Sequence, residues 1–149
     1  MREILSVAFK SAMKAQDKRR MATLRLVQAA IHDRDIANRG TGKDPISDDD
    51  IVAVLSKMIK QREESVTVYE SGNRPELAQQ EREEIAIIRE FLPEQLCEDA
   101  VRSACEKIVT DVNAGGLRDM GKCMAALKEK YAGQMDFTQA SGIVKRLLQ

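Results

Sequence analysis

The chain has 149 residues, 43% of them apolar and only 3% aromatic, with no tryptophan and with 24 basic side chains balanced by 24 acidic ones. That length holds one domain or two small ones, and a core built without aromatics must rest on Leu, Ile, Val, Met and Ala, the usual filling of helix bundles. Zero net charge argues against tight, non-specific binding of nucleic acid, and no apolar run reaches the roughly eighteen residues that a membrane-spanning helix needs.

In chain order, Ile4, Leu5, Ala8, Phe9 and Ala12 predict the apolar face of a first helix over residues 2–15. Residues 2–20 are amphipathic and basic, in the manner of a transit peptide. Glu3 and Asp17 oppose that reading, the periodicity runs on into the next segment, and a secretory apolar run is absent. Asp17 is placed to cap a second helix, on which Met21, Leu24, Val27 and Ile31 make one stripe. Gly40 and Gly42 stop it, and Ser47 opens a third helix with Asp50 at its third position. Ile51, Leu55, Met58, Val66 and Tyr69 carry that helix to about Glu70, and Gly72 ends it. Pro75 begins a fourth helix with core positions Ile85, Ile88 and Leu92.

Pro93 is the clearest boundary, because it cannot sit inside a helix and pushes Leu92 out of helical geometry. Phe91, Leu92 and Leu96 are expected to keep this joint packed. Val101, Cys105, Ile108 and Val112 predict a fifth helix ended by Gly115-Gly116. Met120, Met124, Leu127 and Tyr131 predict a sixth ended by Gly133, and Ala140, Val144 and Leu147 a seventh capped by Asp136. The expected fold is all-α, with an N-terminal four-helix lobe over residues 1–92 packed with a C-terminal three-helix bundle over residues 95–149. No fixed-period repeat or low-complexity segment interrupts it.

The charge is spread unevenly. Residues 1–46 carry ten basic and five acidic side chains, residues 47–100 six and fourteen, and residues 101–149 eight and five. Either the acidic middle pairs with basic helices of its own chain, or the two ends steer a polyanion.

Chemistry-bearing motifs are sparse. There is no phosphate loop and no dinucleotide fingerprint, and the single histidine, His32, gives a metal at most one imidazole. Cys97, Cys105 and Cys123 are too widely spaced for a zinc site, and an odd number of scattered cysteines suggests reduced thiols and a cytoplasmic location. No metal or cofactor is expected. Cys97 or Cys123 with His32 would be the components of a thiol nucleophile and its base, but Cys105 sits in an apolar stripe and Cys97 near a helix start, and no catalytic residue is assigned. Glu63-Glu64 and Glu83-Glu84 read as solvated helix faces.

Two cationic features remain. Lys18, Arg25 and His32 recur every seventh residue on the second helix, with Lys14 before and Arg39 after. This face either holds a phosphate backbone or pairs with the acidic third and fourth helices. In the last third, a turn at Gly115 and Gly116 precedes a helix start and offers N–H groups to an anion. Lys122, Lys128, Lys130, Lys145 and Arg146 follow without stacking aromatics. That composition suits phosphate contacts more than base reading, with a solvated surface as the alternative.

Several segments taken together resemble a known family. Phe91-Leu92-Pro93-Glu94-Gln95-Leu96, Asp119-Met120-Gly121-Lys122-Cys123-Met124 and Gly142-Ile143-Val144-Lys145-Arg146-Leu147-Leu148 occur in the order seen in the YqeY-like family. Met13-Lys14-Ala15-Gln16-Asp17-Lys18, Leu24-Arg25 and Lys60-Gln61-Arg62-Glu63-Glu64-Ser65 fit as well, so the resemblance covers essentially the whole chain. That family is similar to the C-terminal tail of the B subunit of the tRNA-dependent amidotransferase, which converts misacylated tRNA with glutamine as nitrogen donor. A similar domain is fused to some glutaminyl-tRNA synthetases. Gly121, Met124, Gly133 and Leu147-Leu148 match the tail's last segment, Lys128 and Lys130 match its basic residues in part, and Gln134 stands where a cation is often seen.

The resemblance implies a non-catalytic accessory protein that binds tRNA or associates with an amidotransferase or tRNA synthetase, with no membrane partner. The alternatives are a helical protein–protein adaptor that never touches RNA, and a carbon–nitrogen ligase component active only with partner subunits.

Overall fold

Side-chain caps at Asp17, Ser47 and Asp136 set three of the helix starts in this chain. The computed structural model describes residues 1–149, which form seven α-helices and one 3-10 turn with no strand. They divide into two compact units, Met1–Leu92 and Pro93–Gln149, each with its own apolar core.

In the first unit, α1 (Arg2–Lys14) buries Leu5 and Ala12, with Ala8 and Phe9 half-buried beside them. Ile4 is instead 59% exposed. The buried residues are seven apart and define a narrow stripe, and at about 100° per residue Ile4 falls off its edge. Gln16 takes a left-handed backbone (φ 55°) to turn the chain. The Asp17 carboxylate then accepts the Arg20 N–H at 2.9 Å and starts α2 (Lys18–Gly40). Leu24, Val27 and Ile31 are buried on it as the stripe predicts, and Met21 is half-buried. The same face carries two residues the apolar pattern skips, Thr23 and Asp35.

Ser47 and Asp50 make a reciprocal capping box at the start of α3 (Asp48–Ser71). The Ser47 hydroxyl accepts the Asp50 N–H at 3.2 Å, and the Asp50 carboxylate accepts the Ser47 N–H at 3.1 Å. Ile51, Val52, Leu55, Met58 and Ile59 are buried along α3. Gly72 closes it, Asn73 takes the left-handed position at φ 55°, and Pro75 occupies the first turn of α4 (Pro75–Arg89). Ala78, Ile85 and Ile88 are buried on α4, and Phe91 and Leu92 pack onto the same core just after it.

In the second unit, α5 (Glu98–Asp111) buries Val101, Ala104, Cys105 and Ile108. The helix ends before Gly115-Gly116, and Asn113, at φ 49°, takes the left-handed position. A 3-10 turn (Leu117–Asp119) leads into α6 (Met120–Lys130). The buried residues of α6 are Cys123 and Leu127, while Met120, Met124 and Tyr131 lie at the rim of the core. The small thiol sits at the centre, and the longer methionines reach in from the edges. Gly133 has φ 71°, its carbonyl accepts from the Gln95 side chain, and the Leu96 N–H donates to the Gln134 carbonyl at 2.8 Å. The Asp136 carboxylate caps α7 (Phe137–Leu147) through the Thr138 N–H at 2.7 Å. Ala140 and Val144 are buried on α7; Leu147 is 40% exposed, and Leu148 packs onto the core in its place. The core stripe of α7 ends at Val144, and the chain leaves the helix before another inward turn is complete.

Candidate nucleic-acid interface

Six glutamates of the acidic middle pair with arginines of their own unit. Arg19 on α2 meets Glu83 at 3.3 Å and Glu84 at 3.8 Å on α4. Arg20 holds Glu90 with two bonds of 2.9 and 2.7 Å and lies over the Phe91 ring, which keeps the Glu90 carboxyl below the usual carboxylate range. Arg62 on α3 reaches Glu84 at 2.9 Å, Arg89 on α4 reaches Glu63 at 2.7 Å, and Arg82 pairs with Glu70. Burial, and then the neighbouring Glu84, push the Glu81 carboxyl up.

The α2 residues that pair with the acidic helices are therefore Arg19 and Arg20, not the seven-residue series. Lys18 and Arg25 lie on a different side of α2 and form no ion pair. Arg25 lies over the Phe9 ring at 5.6 Å. His32, on the exposed surface, lines a shallow groove with Arg2, Leu5, Gln28, Ile31 and Asp35.

Asp35 is the one buried charged residue of the chain. Its carboxylate accepts two bonds from the Arg2 guanidinium, at 2.8 and 2.9 Å, and one from the Ile46 N–H at 2.9 Å. Arg2 also donates to the Ile46 carbonyl at 3.1 Å. The guanidinium first, and then the backbone N–H, hold the Asp35 carboxyl below its ordinary value. This clamp ties the start of α1, the last turns of α2 and the entry to α3. Sequence reasoning missed it, although a signal exists: Asp35 continues the spacing of Leu24, Val27 and Ile31 onto the core face.

In the second unit the candidate cations fall into two groups. The Lys122 ammonium lies 3.1 Å from Asp119, and Lys130 lies 3.2 Å from Asp111. The Gly115 N–H, expected to meet an external anion, donates instead to the Asp119 carboxylate at 3.1 Å. The Gly115 N–H and then Lys122 keep the Asp119 carboxyl below the usual range. The turn thus carries its own anion four residues further along the chain. Gly116 has an extended backbone there.

Lys128, Lys145 and Arg146 are exposed and form no ion pair. Lys145 and Arg146 stand in the last turn of α7, a helix without any acidic residue. The Arg146 Nε donates to the Gly142 carbonyl at 3.3 Å. Lys107 and Arg118, which sequence reasoning passed over, are also exposed and unpaired. Counted over the folded unit rather than from residue 101, eight basic side chains face eight acidic ones. The unit as a whole therefore carries no excess of positive charge, and its unpaired cations are individual side chains, two of them adjacent in the last turn of α7.

The cysteines are free thiols. Cys105 and Cys123 are fully buried, and burial pushes both thiols up, away from the thiolate a nucleophile needs. Cys97 is exposed at the N-cap of α5. No group of three or more His, Cys, Asp or Glu side chains is placed to hold a metal ion. No helix is long and apolar enough to cross a membrane.

The chain is 31% identical over 83 residues to "Altered inheritance of mitochondria protein 41, mitochondrial" of Vanderwaltozyma polyspora, covering 56% of this chain and 43% of that protein. It is 30% identical over 89 residues to the protein of the same name in Saccharomyces cerevisiae, covering 60% and 46%. To an uncharacterized protein of Schizosaccharomyces pombe it is 32% identical over 83 residues, covering 56% and 64%. The chain thus matches about half the length of these curated relatives. The model of the Yqey-like protein family matches residues 2–148. Because that match takes in both helical units and nearly every residue, the chain belongs to the YqeY-like family.

Proposed function

We propose that this protein is a non-catalytic accessory factor that binds tRNA through its C-terminal unit and works beside tRNA-dependent amidotransferase machinery. The observation that carries the reading is the end of α7, where Lys145 and Arg146 stand exposed with no carboxylate partner on a helix free of acidic residues. Cations without a carboxylate partner are available to phosphates. The likeness of Gly121, Met124, Gly133 and Leu147-Leu148 to the last segment of the amidotransferase tail supports tRNA as the polyanion. In this reading the amide-forming chemistry, with glutamine as nitrogen donor, belongs to partner subunits. Three free thiols suit a reducing aqueous compartment, the cytosol.

The test is fluorescence anisotropy with labelled tRNA at low salt, comparing the full chain with a variant in which Lys128, Lys145 and Arg146 are all changed to Gln. Wild type should bind and the variant should lose most of its affinity, equally for all tRNAs, since phosphate contacts carry no sequence information. A wild type that fails to bind tRNA even at low salt would favour a second reading, a helical protein–protein adaptor. That reading draws on the apolar side chains exposed on α1 and α2, among them Ile4, Val7, Leu26 and Ile36.

A further inference from the structure

Glycine is the poorest residue other than proline for a helix interior, so a mid-helix glycine calls for a reason. Three glycines of the chain have such a reason. Gly42 and Gly133 have φ of 74° and 71°, and a Cβ on Gly72 would press on the Val68 carbonyl at 3.3 Å. Gly142 has none of these. It lies in the middle of α7, its φ is not positive, it is exposed, and a Cβ built on it would meet no atom within 4 Å. Neither backbone geometry nor packing within this chain requires a glycine there.

What surrounds Gly142 is cationic. Lys145 and Arg146 are three and four residues further on, and so lie on the same face of the helix. Side chains on a helix lean back toward its N-terminus, which carries the Arg146 side chain over Gly142. There its Nε donates to the Gly142 carbonyl at 3.3 Å, while its two terminal nitrogens have no partner. An arginine tethered at Nε with the fork left open is pre-oriented to bind a phosphate with two parallel bonds. Beside it the backbone of Gly142 is bare, with no atom within 4 Å of where a Cβ would stand.

We infer that Gly142 is the point of closest approach between this protein and an RNA backbone, and that Arg146, steered by the Gly142 carbonyl, receives the phosphate that lies against it. This rests on the tRNA reading and sharpens it to one contact. Lys145 contributes charge to the same phosphate track, whereas Gly142 contributes only room.

The test compares full-length wild type, Gly142→Ala, Arg146→Lys and the Lys145→Gln/Arg146→Gln double variant by thermal unfolding and by tRNA binding across a salt series. Gly142→Ala should raise the unfolding midpoint, because alanine is the better helix residue and its methyl has space, and should weaken tRNA binding by about fivefold or more. Its salt dependence should keep the wild-type slope, since no charge is lost. Arg146→Lys keeps the charge and loses the fork, and should weaken binding without changing the slope. If Gly142→Ala binds within about twofold of wild type while the double variant loses affinity, the close-approach contact is wrong and the tRNA reading stands. A fall in the unfolding midpoint of Gly142→Ala would show that the methyl is not accommodated, and would also overturn the inference. If wild type itself does not bind tRNA, both fall together.

Discussion

The division of the C-terminal cations into paired and unpaired groups leads to a quantitative expectation for salt dependence. Each phosphate neutralised by a side chain steepens the fall of log affinity with log salt by about 0.7–0.9. Lys145 and Arg146 have no carboxylate to leave, so replacing both with Gln should lower the slope by about 1.4–1.8. Between 50 and 200 mM salt, wild type should then lose roughly 7–12-fold more affinity than the double variant. Lys122 and Lys130 behave differently, because Asp119 at 3.1 Å and Asp111 at 3.2 Å already neutralise them. A phosphate would have to break those pairs and would meet the freed carboxylates, so Lys122→Gln with Lys130→Gln should leave the slope nearly unchanged. The assay is fluorescence anisotropy of labelled tRNA over a salt series, with circular dichroism to confirm that each variant is folded. Equal losses of slope in the two double variants would refute the idea that internal pairing selects the binding cations. A larger loss of slope in the Lys122/Lys130 variant would place the interface on α6.

Further predictions concern stability and thiol chemistry. Ser47→Ala removes the hydroxyl of the α3 capping box and should lower stability by about 0.5–2 kcal/mol; urea unfolding of Ser47→Ala, Asp50→Ala and the double variant should show non-additive losses, because one reciprocal motif is removed in each case. The Asp35 carboxyl is held below its unfolded value of about 3.9, so its contribution is fully present above that pH and is lost as pH falls through the lower, folded value. Asp35→Asn should therefore be less stable than wild type at neutral pH and should show a shallower loss below about pH 4 in an acid titration followed by circular dichroism; an unchanged acid profile would count against the Arg2–Asp35 clamp. Cys97 should react with a thiol reagent in the native protein, whereas Cys105 and Cys123 should react only on unfolding. Cys123→Ser should cost about 1–3 kcal/mol by leaving a hydroxyl in the apolar core, and Cys97→Ser almost nothing, as read from unfolding midpoints.

The residues that the sequence located well are those whose role is local. Asp17, Ser47 and Asp136 cap helices through bonds that span two or three residues, and Pro75 and Pro93 act through their own rings. The stripes Leu24-Val27-Ile31 and Ile51-Leu55-Met58 are buried because an apolar face with helical period has nowhere else to go. Where the pattern misled, a neighbouring helix decided the matter. Ile4 is as apolar as Leu5, yet only one of them meets the core, and Leu147 yields to Leu148 at the end of α7. Cys123 stands three residues after Met120 and four before Leu127, and it, rather than either flanking methionine, is buried with Leu127 on α6.

The candidate site divides in the same way. The sequence by itself determined an all-helical chain with a boundary at Pro93, membership of the YqeY-like family, and five lysine and arginine candidates in its last third. It could not say which charges are spent, because an ion pair depends on distances between side chains that helical period does not encode. Only the tertiary structure set Arg19 and Arg20, rather than Lys18 and Arg25, against the acidic helices. It also placed Asp119 on the Gly115 N–H, and it joined Arg2, Asp35 and Ile46 across 44 residues of sequence. Long-range pairing of this kind cancels some charges and leaves others open, which is why the balance of 24 against 24 says so little about what Lys145 and Arg146 are free to meet.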